Sequence, residues 1–210
     1  MERGRTGKKK ASSTPASRFD EAYFDRYYGD PRTRVTAAED TREVVRAVAS
    51  LARFWTLPLQ SALDLGAGVG HWRTALEAEV PRLRYIGVDI SDAACRRYGH
   101  LRKDIARWRL KEQFDLVVCQ GVLQYLDDAD AERAIENIAA MAGGLFYLEV
   151  LTKRDVAEVV DLTRSDVDVH LRTGAWYRQR LKPHFVTLGC GLFHSRKADG
   201  VFFEMELAGK

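Results

Sequence analysis

The 210-residue sequence predicts an α/β fold, a mostly parallel sheet with helices on both faces. Three observations carry this reading. Four short apolar runs alternate with segments long enough for a helix, the pattern of parallel strands joined by right-handed crossovers. A glycine-rich turn connects the first run to the helical segment after it. Two further strand-like runs near the end have only a short polar loop between them, which predicts an antiparallel hairpin.

The elements follow in order. Phe19, Tyr23, Phe24, Tyr27 and Tyr28 recur at helical spacing, and Gly29-Asp30-Pro31 breaks the pattern. From Thr41 to Trp55 the apolar positions recur at three and four, predicting a longer amphipathic helix that Pro58 ends. Ser61 to Leu65, Arg84 to Val88, Phe114 to Cys119 and Leu145 to Val150 read as buried strands. Between them His71 to Glu79, Ser91 to Tyr98 and Asp130 to Met141 read as helices. Asp155 to Leu181 is polar and reads as largely helical. The hairpin strands are expected at His184 to Phe193 and Val201 to Leu207, with His194 to Gly200 between them.

Composition narrows the function classes. The 46% apolar and 30% charged residues are those of a globular chain and exclude a fibrous or wholly disordered one. Residues 1–18 hold six basic side chains against Glu2, a charge of +5, so the net +3 of the whole leaves −2 for residues 19–210. A folded body of that sign makes nucleic acid an unfavourable partner, because phosphates call for a positive face. The tail has almost nothing apolar to bury and is expected to be disordered. The rest is expected to form one domain: N-terminal helices over 19–57, a cofactor-binding core over 58–152, and a substrate-side helix with the C-terminal hairpin over 153–210. No stretch has the uncharged length of a membrane span, and no secretory signal is visible, so the protein is expected to stay in the cytosol. Cys95, Cys119 and Cys190 are spaced for neither a disulfide framework nor a zinc site; reduced, mostly buried thiols and no metal are expected.

The turn Ala62-Leu63-Asp64-Leu65-Gly66-Ala67-Gly68-Val69-Gly70 runs from a strand into a helix, where glycines let a ligand approach the backbone. A phosphate-binding P-loop would need Gly-Lys-Ser/Thr after it, and Gly70-His71-Trp72 does not supply that. A dinucleotide loop would need a glycine where His71 stands. Asp64 would repel a pyrophosphate but suits a cofactor carrying an ammonium and a sulfonium. The stretch resembles the first motif of the class I S-adenosylmethionine-dependent methyltransferases.

Three more segments carry the resemblance. Tyr85-Ile86-Gly87-Val88-Asp89-Ile90 ends a second strand in an acid about 20 residues past the loop, placed to accept from both ribose hydroxyls. A helix cap before Ser91 is the competing role for Asp89. Lys103-Asp104-Ile105 resembles the third motif, and Phe114 to Leu126, with Gln120 and Gly121 at the strand end, the fourth. The resemblance implies a Rossmann-like, seven-stranded sheet whose last strand is antiparallel beside the fifth. It implies S-adenosyl-L-methionine held by Asp64, Gly66, Ala67, Gly68 and Gly70, with Asp89 at the ribose. Ile90, Asp104 and Ile105 fall at the adenine, and Gln120 and Gly121 at the methionine end. Tyrosines of an N-terminal helix lid the cofactor in many relatives, which brings in Tyr28, with core packing the default role of that aromatic cluster.

Methyl transfer is an in-line displacement, and a general base is needed only for a hydroxyl or ammonium acceptor. Two residues are candidates for that catalytic role. Glu149 ends the fifth-strand run, where a partly exposed strand end explains it equally well. His170 lies in the region that varies with substrate in the family, though a lone histidine is as readily a surface residue. The fourth segment reads Cys119-Gln120-Gly121-Val122, without the Asn/Asp-Pro-Pro-Tyr/Phe signature of base or glutamine methylation and without a Pro-Cys nucleophile. A small-molecule acceptor is therefore expected, and the oligomeric state stays open. The alternative is a non-catalytic S-adenosylmethionine-binding regulatory or partner subunit; a nicotinamide-dependent oxidoreductase is third.

Overall fold

The structure, a computed structural model, describes residues 15–208. Residues 1–14 of the tail expected to be disordered lie outside the described residues. Its last four, by contrast, form a helical turn, α1 (Pro15–Arg18), anchored where Arg18 donates to both Asp166 oxygens at 2.7 and 2.9 Å.

Next come α2 (Glu21–Phe24), capped by Asp20 through the Tyr23 N–H, and a π-helical turn, Asp25–Gly29. The aromatic helix read from spacing is thus α-helical only in its first turn. The wider turn re-aims Tyr27 and Tyr28, and such turns recur at functional sites. The long helix α3 (Ala38–Phe54) buries Val45, Val48, Ala49 and Ala52 along one stripe. The alternating core follows: β1 (Ser61–Leu65), α4 (His71–Glu79), β2 (Arg84–Asp89), α5 (Asp92–Tyr98), β3 (Leu101–Arg102), β4 (Phe114–Gln120), α6 (Asp128–Met141) and β5 (Ala142–Glu149). Side-chain oxygens of Ser91 and Asp127 cap α5 and α6, satisfying amide donors that helix starts leave free. The two-residue β3 has no apolar run to announce it, and its shortness protects the sheet edge it forms.

The sheet has seven strands in the order β3-β2-β1-β4-β5-β7-β6; β7 is antiparallel to both its neighbours and the other pairings are parallel. This is the Rossmann-like arrangement with one antiparallel strand beside β5. Two-residue periodicity sorts the side chains into two layers. Ala62, Leu116, Val118, Leu145 and Tyr147 face α3 and α4, packing on Val45, Val48, Trp72 and Leu76. Leu63, Leu65, Val117, Cys119, Phe146 and Leu148 face α6 and α8 (Gly174–Leu181), packing on Ile135, Ile138, Tyr177 and Leu181.

Two expectations are corrected in the last third. Asp155 to Leu181 is not largely helical: α7 (Lys153–Glu158) and α8 are short, and residues 159–173 between them are irregular. Asp161 there accepts from the backbone and hydroxyl of Thr163, a turn that competes with helix, and Thr173 caps a fresh start. The hairpin is β6 (Phe185–Gly189) and β7 (Leu192–Ser195), not 184–193 with 201–207. Its turn is Gly189-Cys190-Gly191, all three at positive φ. Gly191 has no room for a side chain, since a Cβ would stand 2.6 Å from the Leu148 carbonyl. Val201, Phe203 and Met205 alternate like a strand but are exposed and irregular or 3₁₀-helical, while Phe202 packs edge-on to Trp55.

Candidate active site

The order of the sheet reverses between β2-β1 and β4-β5, and the crevice at the C-terminal strand ends there is where α/β sheets bind ligands. Three polar side chains meet at it. Asp64, Gln120 and Glu149 continue the α3/α4-facing positions of β1, β4 and β5, and Gln120 stands in register with Glu149. The Trp72 indole donates to Gln120 Oε1 at 2.7 Å, and Gln120 Nε2 donates to Glu149 Oε2 at 3.1 Å. The Tyr147 hydroxyl donates to the same Oε2 at 3.2 Å, which leaves Glu149 Oε1 without a described donor. Asp64 is buried and accepts from the Tyr85 hydroxyl at 2.6 Å; burial raises its pKa to about 7 against the lowering effect of that bond.

The turn after β1 is held from both sides. Gly66 and Ala67 donate to the Val88 carbonyl, Gly68 N–H donates to Asp89 Oδ2 at 2.9 Å, and His100 Nε2 lies 3.1 Å from the Gly68 carbonyl. Gly66, Gly68 and Gly70 all have positive φ. A Cβ on Gly66 would come within 2.2 Å of the Val122 side chain, so glycine lets the turn after β1 lie against the segment after β4. Asp89 Oδ1 also accepts from the Ser91 N–H at 2.8 Å. Each carboxylate oxygen keeps a further lone pair. Ser91 rather than Asp89 caps α5; Asp89 braces the glycine turn and the start of that helix while lining a cavity, and burial raises its pKa despite those bonds.

Two confluent cavities open here. One, about 700 Å3, is lined by Asp89, Ile90, Asp104, Ile105, Phe19 and Leu126 among others. Asp104 accepts from the Ala106 N–H and pairs with Arg107 at 2.7 Å. The other, about 940 Å3 with its mouth, holds Asp64, Ala67, His71, Trp72, Thr41, Gln124, Glu149 and Asp166 in its walls. Gly66, Gly68, Gln120, Gly121, Tyr23, Tyr28 and Tyr125 line both and mark their junction. The structure thus brings together every cofactor residue read from the sequence except Gly70. Gly70 lines neither cavity; at φ 77° it starts α4, a backbone role.

The two catalytic candidates part company. Glu149 is in the larger cavity, whereas His170 is exposed and lines neither, its backbone N–H tied to the Gln124 carbonyl at 2.7 Å. Several wall residues were not legible as such. Thr41 lies on α3, and Asp166 comes from the irregular segment between α7 and α8. His71, just past the glycine turn, lines the cavity against Tyr28, and burial holds its pKa below the usual imidazole value. Thr41 Oγ1 and Gln124 Oε1 are buried with no partner among the described residues. Over the junction the Tyr23 and Tyr125 hydroxyls meet at 2.8 Å, and the Arg18 guanidinium lies over the Tyr125 ring. Among the described residues no group of three or more metal-ligating side chains occurs, and no helix is long and apolar enough to cross a membrane.

These walls fit a nucleoside joined to a cationic amino acid. Gly66 and Gly68 leave a cradle that side chains would fill, a buried acid stands at its floor, and an acceptor atom of Gln124 awaits a donor. Residues 63–143 match the family described as a methyltransferase domain. The sequence matches no curated protein. Among solved structures, the sugar N-methyltransferase KedS8 from Streptoalloteichus sp. superposes with a TM-score of 0.64 at 17% identity, over 95% of this chain and 99% of that one. CalS10, an amino pentose methyltransferase from Micromonospora echinaspora with bound S-adenosylmethionine, gives 0.58 at 18% identity, over 79% and 94%. Magnesium protoporphyrin IX methyltransferase from Synechocystis with bound S-adenosylhomocysteine gives 0.54 at 21%, over 81% and 87%. Residues 63–143 thus match a methyltransferase domain, set in a fold shared with methyltransferases that bind S-adenosylmethionine.

Proposed function

We propose that this enzyme methylates a small molecule, with the adenosine half of the cofactor in the smaller cavity and its methionine end and the acceptor in the larger. The observation that carries this reading is the shared lining. Gly66, Gly68, Gln120, Gly121 and the tyrosines border both cavities, so a ligand threading the junction presents its middle to the larger one. The bound cofactor supplies a methyl group on a sulfonium. Asp89 would take the ribose hydroxyls, and Ile90, Asp104 and Ile105 would frame the adenine. Asp64 would face the positive methionine end, with Gln120 and Gly121 beside it. Tyr23, Tyr28 and Tyr125 would cover the reacting atoms and exclude water. Glu149 would hold or remove the acceptor's proton. His71, kept neutral by burial, adds a polar wall without a second charge.

The walls of the larger cavity contain no lysine or arginine and the body has a net charge of −2 over residues 19–210, which favours a small molecule over nucleic acid. The neighbours named above act on a sugar, an amino pentose and a porphyrin. A cytosolic location is part of the same proposal. The test is calorimetry with S-adenosylmethionine and S-adenosylhomocysteine on the wild type and on Asp89→Ala. We expect saturable binding by the wild type, weakened at least tenfold in the variant; unchanged affinity in Asp89→Ala would overturn the assignment of the smaller cavity.

A further inference from the structure

Resting on that reading, we propose that the methyl acceptor is an amine, held as its ammonium by Glu149 Oε1 and Gln124 Oε1 in the larger cavity. Charge is the first argument. Three carboxylates and no lysine or arginine line this cavity. Asp166 is already neutralised by the bidentate Arg18 pair. Asp64 is taken by Tyr85 and stands at the foot of the glycine turn, where the reading above puts the cofactor's positive end. Glu149 has no cationic partner among the described residues, and both donors it has fall on Oε2.

Position is the second argument. Neighbouring strands are about 4.8 Å apart, so Glu149 on β5 lies roughly 10 Å across the sheet from the end of β1. Gln120 of β4 stands between them. That distance sets Glu149 beyond the cofactor's methionine end, on the acceptor's side.

The third argument is independent of charge. Gln124 is only 4% exposed, lines the same cavity and carries an amide oxygen with no donor. A buried acceptor left unpaired costs about 1–3 kcal/mol, so a ligand that donates there is favoured. Tyr23, Tyr27 and Tyr28 add ring faces that attract cations. An ammonium has three donors and a positive charge to offer this set. An alcohol has one donor and no charge, and a carboxylate has no donor and a negative charge that this set repels.

The step balances without another reactant. The bound ammonium gives one proton to Glu149, which is exposed at the strand end and passes it to water. The freed nitrogen lone pair attacks the methyl carbon as the carbon–sulfur bond breaks. Its electron pair goes to sulfur, leaving S-adenosylhomocysteine neutral and the product a methylated ammonium.

The test uses two sets of matched probes, benzylamine with benzyl alcohol and benzoate, and glucosamine with glucose and glucuronate. Each is titrated into the full chain saturated with S-adenosylhomocysteine, and S-adenosylhomocysteine formation is then followed with S-adenosylmethionine present. We expect at least one amine to bind ten times more tightly than its alcohol and its carboxylate, and to be turned over. Glu149→Gln should abolish that preference, and Gln124→Met should reduce it severalfold, with unfolding temperature confirming that both variants fold. The inference is overturned if neither amine binds, if an alcohol or carboxylate binds as well, or if Glu149→Gln keeps the preference. Failure of S-adenosylhomocysteine to bind at all would instead sink the cofactor reading above.

Discussion

With Asp64 facing the cofactor's cationic end as proposed, its buried carboxyl should make cofactor affinity depend on pH. Desolvation lifts its pKa to about 7, the Tyr85 hydroxyl opposes the rise, and the nearby Asp89 adds to it. A cofactor with a sulfonium and an ammonium binds the ionised form, so binding should release a proton below pH 7. At pH 6 about one molecule in ten has Asp64 ionised, and affinity should lie about tenfold below its plateau. At pH 8 about nine in ten are ionised, and the plateau is nearly reached. Affinity therefore rises with pH through 7 and then levels. Stability of the free enzyme runs the other way. Between about pH 4 and 7 the native chain holds a proton that the unfolded chain has lost, so stability falls as pH rises, by up to about 4 kcal/mol from this group. Asp64→Asn keeps the Tyr85 hydrogen bond and cannot ionise. It should flatten the affinity curve and make the free protein more heat-stable than wild type at pH 8, the two converging near pH 4. Calorimetry in two buffers of different ionisation enthalpy measures the released proton directly. An affinity independent of pH from 6 to 8, or the same curve in Asp64→Asn, would refute the argument.

Three other perturbations test the surrounding frame. Gly66→Ala combines a left-handed backbone with a Cβ 2.2 Å from Val122; it should lower stability by about 1–3 kcal/mol and cofactor affinity at least tenfold, seen by thermal melting and calorimetry. Arg172 is 5% exposed, pairs with Asp128 and donates to the Leu123, Leu126 and His170 carbonyls and the Tyr177 hydroxyl. Arg172→Met should cost about 1–3 kcal/mol in denaturant melts, from carbonyls left unpaired rather than from the exposed Asp128, and no measurable loss would show that those carbonyls find other partners. Among the thiols, Cys190 is exposed in the hairpin turn, Cys95 half-buried and Cys119 buried with its pKa pushed far up. Cys190 should react with a thiol reagent within minutes in the native chain and Cys119 only on unfolding; rapid loss of all three would contradict the packing of β4.

The α/β class and the residues proposed to hold the cofactor were legible because local rules determine them. A buried parallel strand must be apolar for its whole length, a sharp strand-to-helix turn demands glycine, and a helix start takes Ser91 or Asp127. Those constraints act within a few residues, so β1, β2, β4 and β5 and the loop from Gly66 to Gly70 could be read from the chain. The hairpin could not. Val201, Phe203 and Met205 alternate as a strand should, but the pairing was settled by the fit of Gly191 against Leu148, 43 residues earlier.

The larger cavity, where the acceptor is proposed to sit, shows the same division. Asp64, Gln120 and Glu149 share a face only because three strands align in one register, and Gln120 joins Trp72 to Glu149 across two elements. Thr41, Gln124 and Asp166 reach the cavity from a helix, a 3₁₀ turn and an irregular segment that carry no common pattern. His170, in the variable region where a substrate group was expected, ends outside the cavity because its neighbour Arg172 is drawn into the core by Asp128 and Tyr177. The sequence by itself determined the layered sheet, the glycine turn and the acids that follow it, since each answers to nearest-neighbour sterics and burial. Tertiary structure alone decided which distant side chains face one another across the larger cavity, because strand register and loop packing are set by contacts between residues far apart in the chain.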